Sequence, residues 1–256
     1  MRHLSISMVQ THVVWEQKDI NLRHFETRFE TLQKSDLIIL PEMFNTGFSM
    51  NAEKHAESMT GPTVQWLIDQ AKKLKIHLAG TLIIKEGNAY FNRFVKSDPQ
   101  GNIEHYDKRH AFSMAGEDKI YTKGTERVIW DVNGWKVCPM VCYDLRFPVW
   151  SRNDLDYDIL VYSANWPTKR IKHWLSLVKA RSIENQCYVA ALSRIGIDGE
   201  GVEYNGNSLI CDFDGEAITH NEGNDTILHA VLSHDELLQR RNKFGVLNDR
   251  DSFSVK

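Results

Sequence analysis

The sequence predicts an α/β fold in which helices cover mixed β-sheet, in the layer order α, β, β, α. Three observations predict it. Helix-period stretches followed by short apolar strands occur near the N-terminus, tight-turn dipeptides mark antiparallel hairpins through the middle, and a further strand–helix–strand passage lies in the last third.

The elements follow in order. The first ten residues alternate polar and apolar side chains and read as a strand. Across 19–34, Leu22, Phe25, Phe29 and Leu32 recur at spacings of three and four, which predicts an amphipathic helix. The run 36–41 is continuously apolar after Asp36 and reads as a strand covered on both faces. A second helix over 63–75 carries Val64, Leu67, Ile68, Ala71 and Leu74 on one face, with Pro62 at its first turn, and 76–84 is the strand after it. Hairpin turns follow at Gly87-Asn88, at 97–102, and at Asn133-Gly134 between strands 128–132 and 135–142. Strand 157–165 leads to a helix over 170–185, with Ile171, Trp174, Leu175, Val178 and Ser182 on one face, and then to strand 187–194. Two more strands flank Asp214-Gly215 and another covers 226–232. Ser233 opens a closing helix whose Glu236 completes a capping box. No Pro- or Ser-rich linker and no repeat interrupts the series, so residues 1–256 read as one domain.

Bulk properties exclude several function classes. The chain is 42% hydrophobic and 25% charged, ordinary globular values that allow a sizeable core. A formal net charge of -3 offers no basic field for nucleic acid or an anionic membrane surface. No apolar run approaches the roughly 18 residues that span a bilayer, and the N-terminus lacks the apolar core and cleavage site of a secretion signal. The expected location is the cytoplasm, where Cys138, Cys142, Cys187 and Cys211 stay reduced.

Three chemically useful residues stand at the ends of predicted strands: Glu42 just past 37–40, in Leu40-Pro41-Glu42-Met43-Phe44; Lys108 just past 103–106, in Tyr106-Asp107-Lys108-Arg109-His110; and Cys142 ending 135–142, in Met140-Val141-Cys142-Tyr143-Asp144-Leu145-Arg146-Phe147-Pro148. Strand ends collect side chains into sites while the sheet fixes their spacing. A thiol attacks a carbonyl only as thiolate, so it needs a base or a cation. A desolvated carboxylate can take the thiol proton and pass it to leaving ammonia. Lysine and the Tyr143 N–H can hold the oxyanion. Taken singly, each has a plainer reading: a buried cysteine as a small hydrophobe, Glu42 and Lys108 as surface charges.

The three segments resemble the signature segments of the carbon–nitrogen hydrolase (nitrilase) superfamily, whose triad is Glu, Lys and Cys. The likeness continues through Ser163-Ala164-Asn165-Trp166-Pro167 and 180–189, and so spans essentially the whole chain. The closest branch is that of the bacterial omega-amidases, on 143–152, 165–167 and 44–50. The resemblance implies a four-layer α-β-β-α sandwich of two mixed sheets that commonly pairs into a homodimer, with no cofactor and no metal. It implies water and a small amide as substrates, 2-oxoglutaramate or 2-oxosuccinamate in this branch. Another amidase or a carbamoylase remains the alternative. It also implies a second glutamate that supports the lysine; Ala115-Gly116-Glu117-Asp118 points to Glu117, with Asp118 competing.

A 2-oxo-acid amide carries a carboxylate, and Arg170 and Arg194 are the candidates to meet it, with Trp166 as a wall; as exposed arginines they would have no such role. Arg146 is expected to anchor the loop after Cys142 through an ion pair, Gly196–Gly206 to form a mobile loop near the pocket, and Pro139 to bulge or unpair its strand. Cys138 and Cys142 would stand ~13 Å apart on a strand, too far to share one ion. His105, His110 and His173 leave a Cys-His peptidase or acyltransferase as the second reading, without a recognisable orienting Asn.

Overall fold

The computed structural model describes residues 2–255. Its first half runs β1 (His3–Gln10), α1 (Lys18–Phe29), β2 (Leu37–Ile39), α2 (Ala52–His55), α3 (Pro62–Leu74), β3 (His77–Glu86), β4 (Ala89–Ser97), β5 (Ile103–Asp107) and α4 (Glu117–Ile120). The chain continues through β6 (Trp130–Val132), β7 (Trp135–Val141), β8 (Ile159–Ala164), α5 (Ile171–Asn185), β9 (Tyr188–Ser193), β10 (Ile195–Ile197) and β11 (Glu203–Asn205). It closes with β12 (Ser208–Cys211), β13 (Ala217–Asn221), β14 (Thr226–Ser233) and α6 (His234–Lys243).

Two six-stranded sheets result, in the orders β14-β1-β2-β3-β4-β5 and β13-β12-β9-β8-β7-β6. Each is mixed: β1-β2-β3 are parallel in the first and β7-β8-β9 in the second, with antiparallel pairs outside them. The strand period of two places side chains on both faces. Leu37 and Ile39 of β2 join the large cluster shared with β7, β8 and β9, whereas Ile38 and Leu40 pack with Phe25 of α1 and Val64, Leu67 and Ala71 of α3. A continuously apolar strand is thereby explained, since helices cover one face and the second sheet the other. Trp174 and Val178 of α5 and Leu237 of α6 belong to the large cluster. The predicted four layers are what the chain forms.

Two local expectations need correction, and a third holds in one of its two forms. The first helix stops at Phe29 instead of reaching 34, because Glu30, Thr31 and Leu32 donate to the third residue back and tighten the chain out of α geometry. At α6 the Ser233 hydroxyl caps the Glu236 N–H at 3.3 Å, but the Ser233 N–H faces the Tyr188 hydroxyl, so the reciprocal half of the capping box is missing. At Pro139 the strand is unpaired on one side, one of the two expected forms, and is not bulged: β7 keeps unbroken register with β8 from Val137 to Val141. Proline is accommodated because β6 pairs only with 135–137, leaving that edge without a partner at 139.

Candidate active site

Glu42 follows β2 in the first sheet, Lys108 follows β5 at that sheet's edge, and Cys142 follows β7 in the second sheet. The site therefore forms where the ends of the two sheets face each other. Cys142 sits on a sharp turn from β7 into a 3₁₀ turn, with φ of 41°, a conformation that costs a non-glycine residue on the order of 1–3 kcal/mol. Such a turn lifts the side chain off the strand end.

Glu42 is fully buried and every oxygen is used. Oε1 accepts Lys108 Nζ at 2.9 Å and Asn92 Nδ2 at 2.8 Å; Oε2 accepts the Asn165 N–H at 2.8 Å. Lys108 Nζ also donates to both oxygens of Glu117, each at 2.9 Å. Glu117 is buried and further accepts the Phe112 N–H, whereas Asp118 is exposed. The lysine thus meets Glu117, and Asp118 lies outside the cluster. The Cys142 thiol donates to the Asn165 carbonyl at 3.7 Å.

The charges act on one another. Burial disfavours the Lys108 ammonium, but the Glu117, Glu42 and Cys142 charges outweigh it and hold its pKa above the ordinary lysine range. Glu117 is pushed up by burial and by Glu42, against the pull of Lys108. Burial, then the Glu42 charge, holds the Cys142 thiol well above its ordinary 9.0, with Lys108 opposing. A resting thiol of this kind stays protonated and needs a base at the moment of attack.

These groups open into a cavity of about 550 Å³ lined by Cys142, Lys108 and Asn165 at its chemical end and by Phe48, Phe112 and Trp166 among its walls. A larger surface hollow of about 800 Å³ lies beneath the C-terminal residues and holds none of these groups.

A model of the carbon-nitrogen hydrolase family matches residues 5–238. The chain belongs to that family. It is 44% identical over 254 residues to the omega-amidase YafV of Yersinia enterocolitica, covering 99% of each chain. To a 2-oxoglutaramate amidase of Bacillus subtilis it is 31% identical over 251 residues, covering 96% of each. Among solved structures, a CN-hydrolase superfamily protein from Xanthomonas campestris matches with a TM-score of 0.97 and 38% identity over 100% of both chains. As a carbon-nitrogen hydrolase, the chain is a hydrolase acting on C–N bonds.

Within this carbon-nitrogen hydrolase the arginines distribute differently from expectation. Arg170 lines the cavity, its guanidinium over the Phe112 ring at 5.3 Å. Arg194 does not line it: the side chain is buried, donates to the Val13 and Ile195 carbonyls, and lies 5.1 Å from the Tyr204 ring. Among the described residues Arg146 forms no ion pair; it lines the cavity, 4.7 Å from the Trp166 ring and 3.3 Å from His173 Nδ1. Burial and the neighbouring Arg170 charge lower its pKa. The stretch 196–206 is largely the β10–β11 hairpin, and Asp198, Glu200, Val202 and Tyr204 bring it into the cavity wall.

Among the described residues no histidine is hydrogen-bonded to the Cys142 thiol, whose partner is the Asn165 carbonyl, and His110 Nδ1 is 2.8 Å from Asp144 Oδ1 with its ring stacked 3.7 Å from Phe147. Sequence reasoning gave Asp144, Asn92 and Asn165 no role. Asp144 and Asn165 lie inside the quoted motifs, which is a signal that was there to find; Asn92 sits mid-strand in β4 and carries none.

Proposed function

We propose that the protein hydrolyses the terminal amide of a small 2-oxo acid, 2-oxoglutaramate or 2-oxosuccinamate, to the dicarboxylate and ammonia through a thioester on Cys142. The observation that carries this reading is one cavity lined by a thiol, the Lys108 ammonium and two arginines, Arg146 and Arg170, that pair with no carboxylate among the described residues. Sequence likeness to omega-amidase YafV and to 2-oxoglutaramate amidase supports the same substrate class.

The geometry supports the following chemistry. Glu42 takes the thiol proton as sulfur bonds to the amide carbon. Lys108 and the Tyr143 N–H, in the first turn after the nucleophile, stabilise the oxyanion. The C–N bond breaks, the nitrogen takes the proton from Glu42, and ammonia leaves. Water, deprotonated by the same carboxylate, then cleaves the thioester. Arg146 and Arg170 meet the substrate carboxylate with charge-assisted hydrogen bonds, and Trp166 forms the wall beside them. Residues 1–256 act as one catalytic unit, as a cytoplasmic homodimer.

The experiment is ammonia release from a panel of 2-oxoglutaramate, glutamine, a nitrile and an N-carbamoyl amino acid, with Cys142→Ala alongside. Turnover of the oxo-amide ahead of the others, lost in the variant, is expected. A preferred nitrile or carbamoyl substrate, or normal turnover by Cys142→Ala, would overturn the reading.

A further inference from the structure

The two halves of the site stand on different sheets, so something must fix the Lys108 segment against the Cys142 turn. One side chain does this. Asp144 is fully buried and accepts four hydrogen bonds. Oδ2 takes the Val141 N–H at 2.9 Å and the Tyr106 hydroxyl at 2.8 Å; Oδ1 takes the His110 N–H at 2.9 Å and His110 Nδ1 at 2.8 Å. Tyr106 and His110 bracket Lys108 two residues to either side, and Val141 immediately precedes the nucleophile.

We propose that Asp144 is a positioning residue that locks the lysine-bearing segment to the strained cysteine turn, setting the Lys108-to-Cys142 spacing on which oxyanion stabilisation depends. The inference rests on the catalytic reading above and goes beyond it. A carboxylate is required at this point, because two ionised oxygens supply about four lone-pair sites and four donors converge on them. Facing an acid, His110 carries its proton on Nδ1 and acts as a donor. An asparagine would offer one oxygen and turn an NH₂ group toward donors. The Val141 bond also closes the turn three residues ahead, holding Cys142 at its positive φ. The Trp150 indole N–H, 2.9 Å from the Tyr106 hydroxyl, aims that hydroxyl's own proton at Asp144.

The test measures kcat and KM per titratable Cys142 thiol in Asp144→Asn and Tyr106→Phe, with Cys142→Ala as the reference for the catalytic reading. Displacement of the oxyanion donor by about an ångström predicts a fall in kcat of about 10²-fold for Asp144→Asn, with KM within about threefold of the parent. Tyr106→Phe, which removes one donor and keeps the carboxylate, falls by about 10-fold. A merely structural aspartate would lower the number of titratable thiols and leave kcat per thiol unchanged, and that result overturns the proposal. If Asp144→Asn does not fold, parental kcat per thiol in Tyr106→Phe does the same. Turnover surviving in Cys142→Ala would instead sink the catalytic reading.

Discussion

Lys108 Nζ stands 2.9 Å from Glu42 Oε1 and 2.9 Å from each oxygen of Glu117, so its three protons are shared between two buried carboxylates. To reach a substrate oxyanion it must release one of the Glu117 contacts. Without the ammonium, two anions would share a dry site. Lys108→Met is therefore expected to abolish turnover and to lower stability near neutral pH by about 3–5 kcal/mol, measured by urea unfolding. The pH dependence has a definite sign. Glu117 already has a raised pKa in the folded protein, and a group raised on folding stabilises the protein below its unfolded value and loses that contribution as pH rises through the folded one. The variant should accordingly regain stability on acidification from about pH 8 to pH 5; a flat profile would contradict the arrangement.

Glu117 and Asp118 are adjacent in sequence but differ in environment, one buried against Lys108 and the other exposed. Glu117→Gln should lower kcat on the order of 10²-fold by weakening the electrostatic frame around the lysine, while Asp118→Asn should leave both constants at parental values. Steady-state kinetics of the pair decides it, and equal effects would remove Glu117 from its role.

A thiol held well above 9.0 by burial and by Glu42 behaves unlike one paired with imidazolium. Inactivation of the free enzyme by iodoacetamide should therefore rise with pH through the alkaline range, with no plateau of the kind a Cys-His ion pair produces at about pH 5–7. His110→Ala should reduce turnover modestly, because its N–H still reaches Asp144. An acid-range plateau, or total loss in that variant, would favour a peptidase-like dyad.

How far the sequence reveals this molecule depends on which interactions are local. Val64, Leu67 and Ala71 announce α3 through helical spacing, and Asn133-Gly134 announces its turn, because both are set by neighbours along the chain. The end of α1 was not legible, since it depends on where β2 must begin against Ser5 and His77. The same division runs through the site. Glu42, Lys108 and Cys142 stand out at strand ends, but their bonding partners come from other elements: Asn92 reaches Glu42 across 50 residues and Asn165 across 123. Arg194 follows a strand as Arg170 precedes a helix, and only packing tells that one side chain turns inward to backbone carbonyls.

That packing difference gives the arginines different roles. Arg146 and Arg170 line the cavity and pair with no carboxylate among the described residues, so replacing either with alanine removes a charged hydrogen bond to an anionic substrate, worth about 1.5–3 kcal/mol. The expected result is a 10- to 100-fold loss, roughly, in kcat/KM for the oxo-amide, carried mainly by KM, with little change for a neutral amide that lacks the carboxylate. Arg194 instead holds the Val13 carbonyl at 2.7 Å and the Ile195 carbonyl at 3.2 Å, joining the segment after β1 to the base of the β10–β11 hairpin. Arg194→Met takes the donor from the carbonyl of buried Val13 and cuts the tie between the two segments, so it should lower the thermal midpoint and depress turnover of both amides alike. Charge selectivity that follows Arg194, with Arg146 and Arg170 silent, would overturn this assignment of the carboxylate to the two cavity-lining arginines.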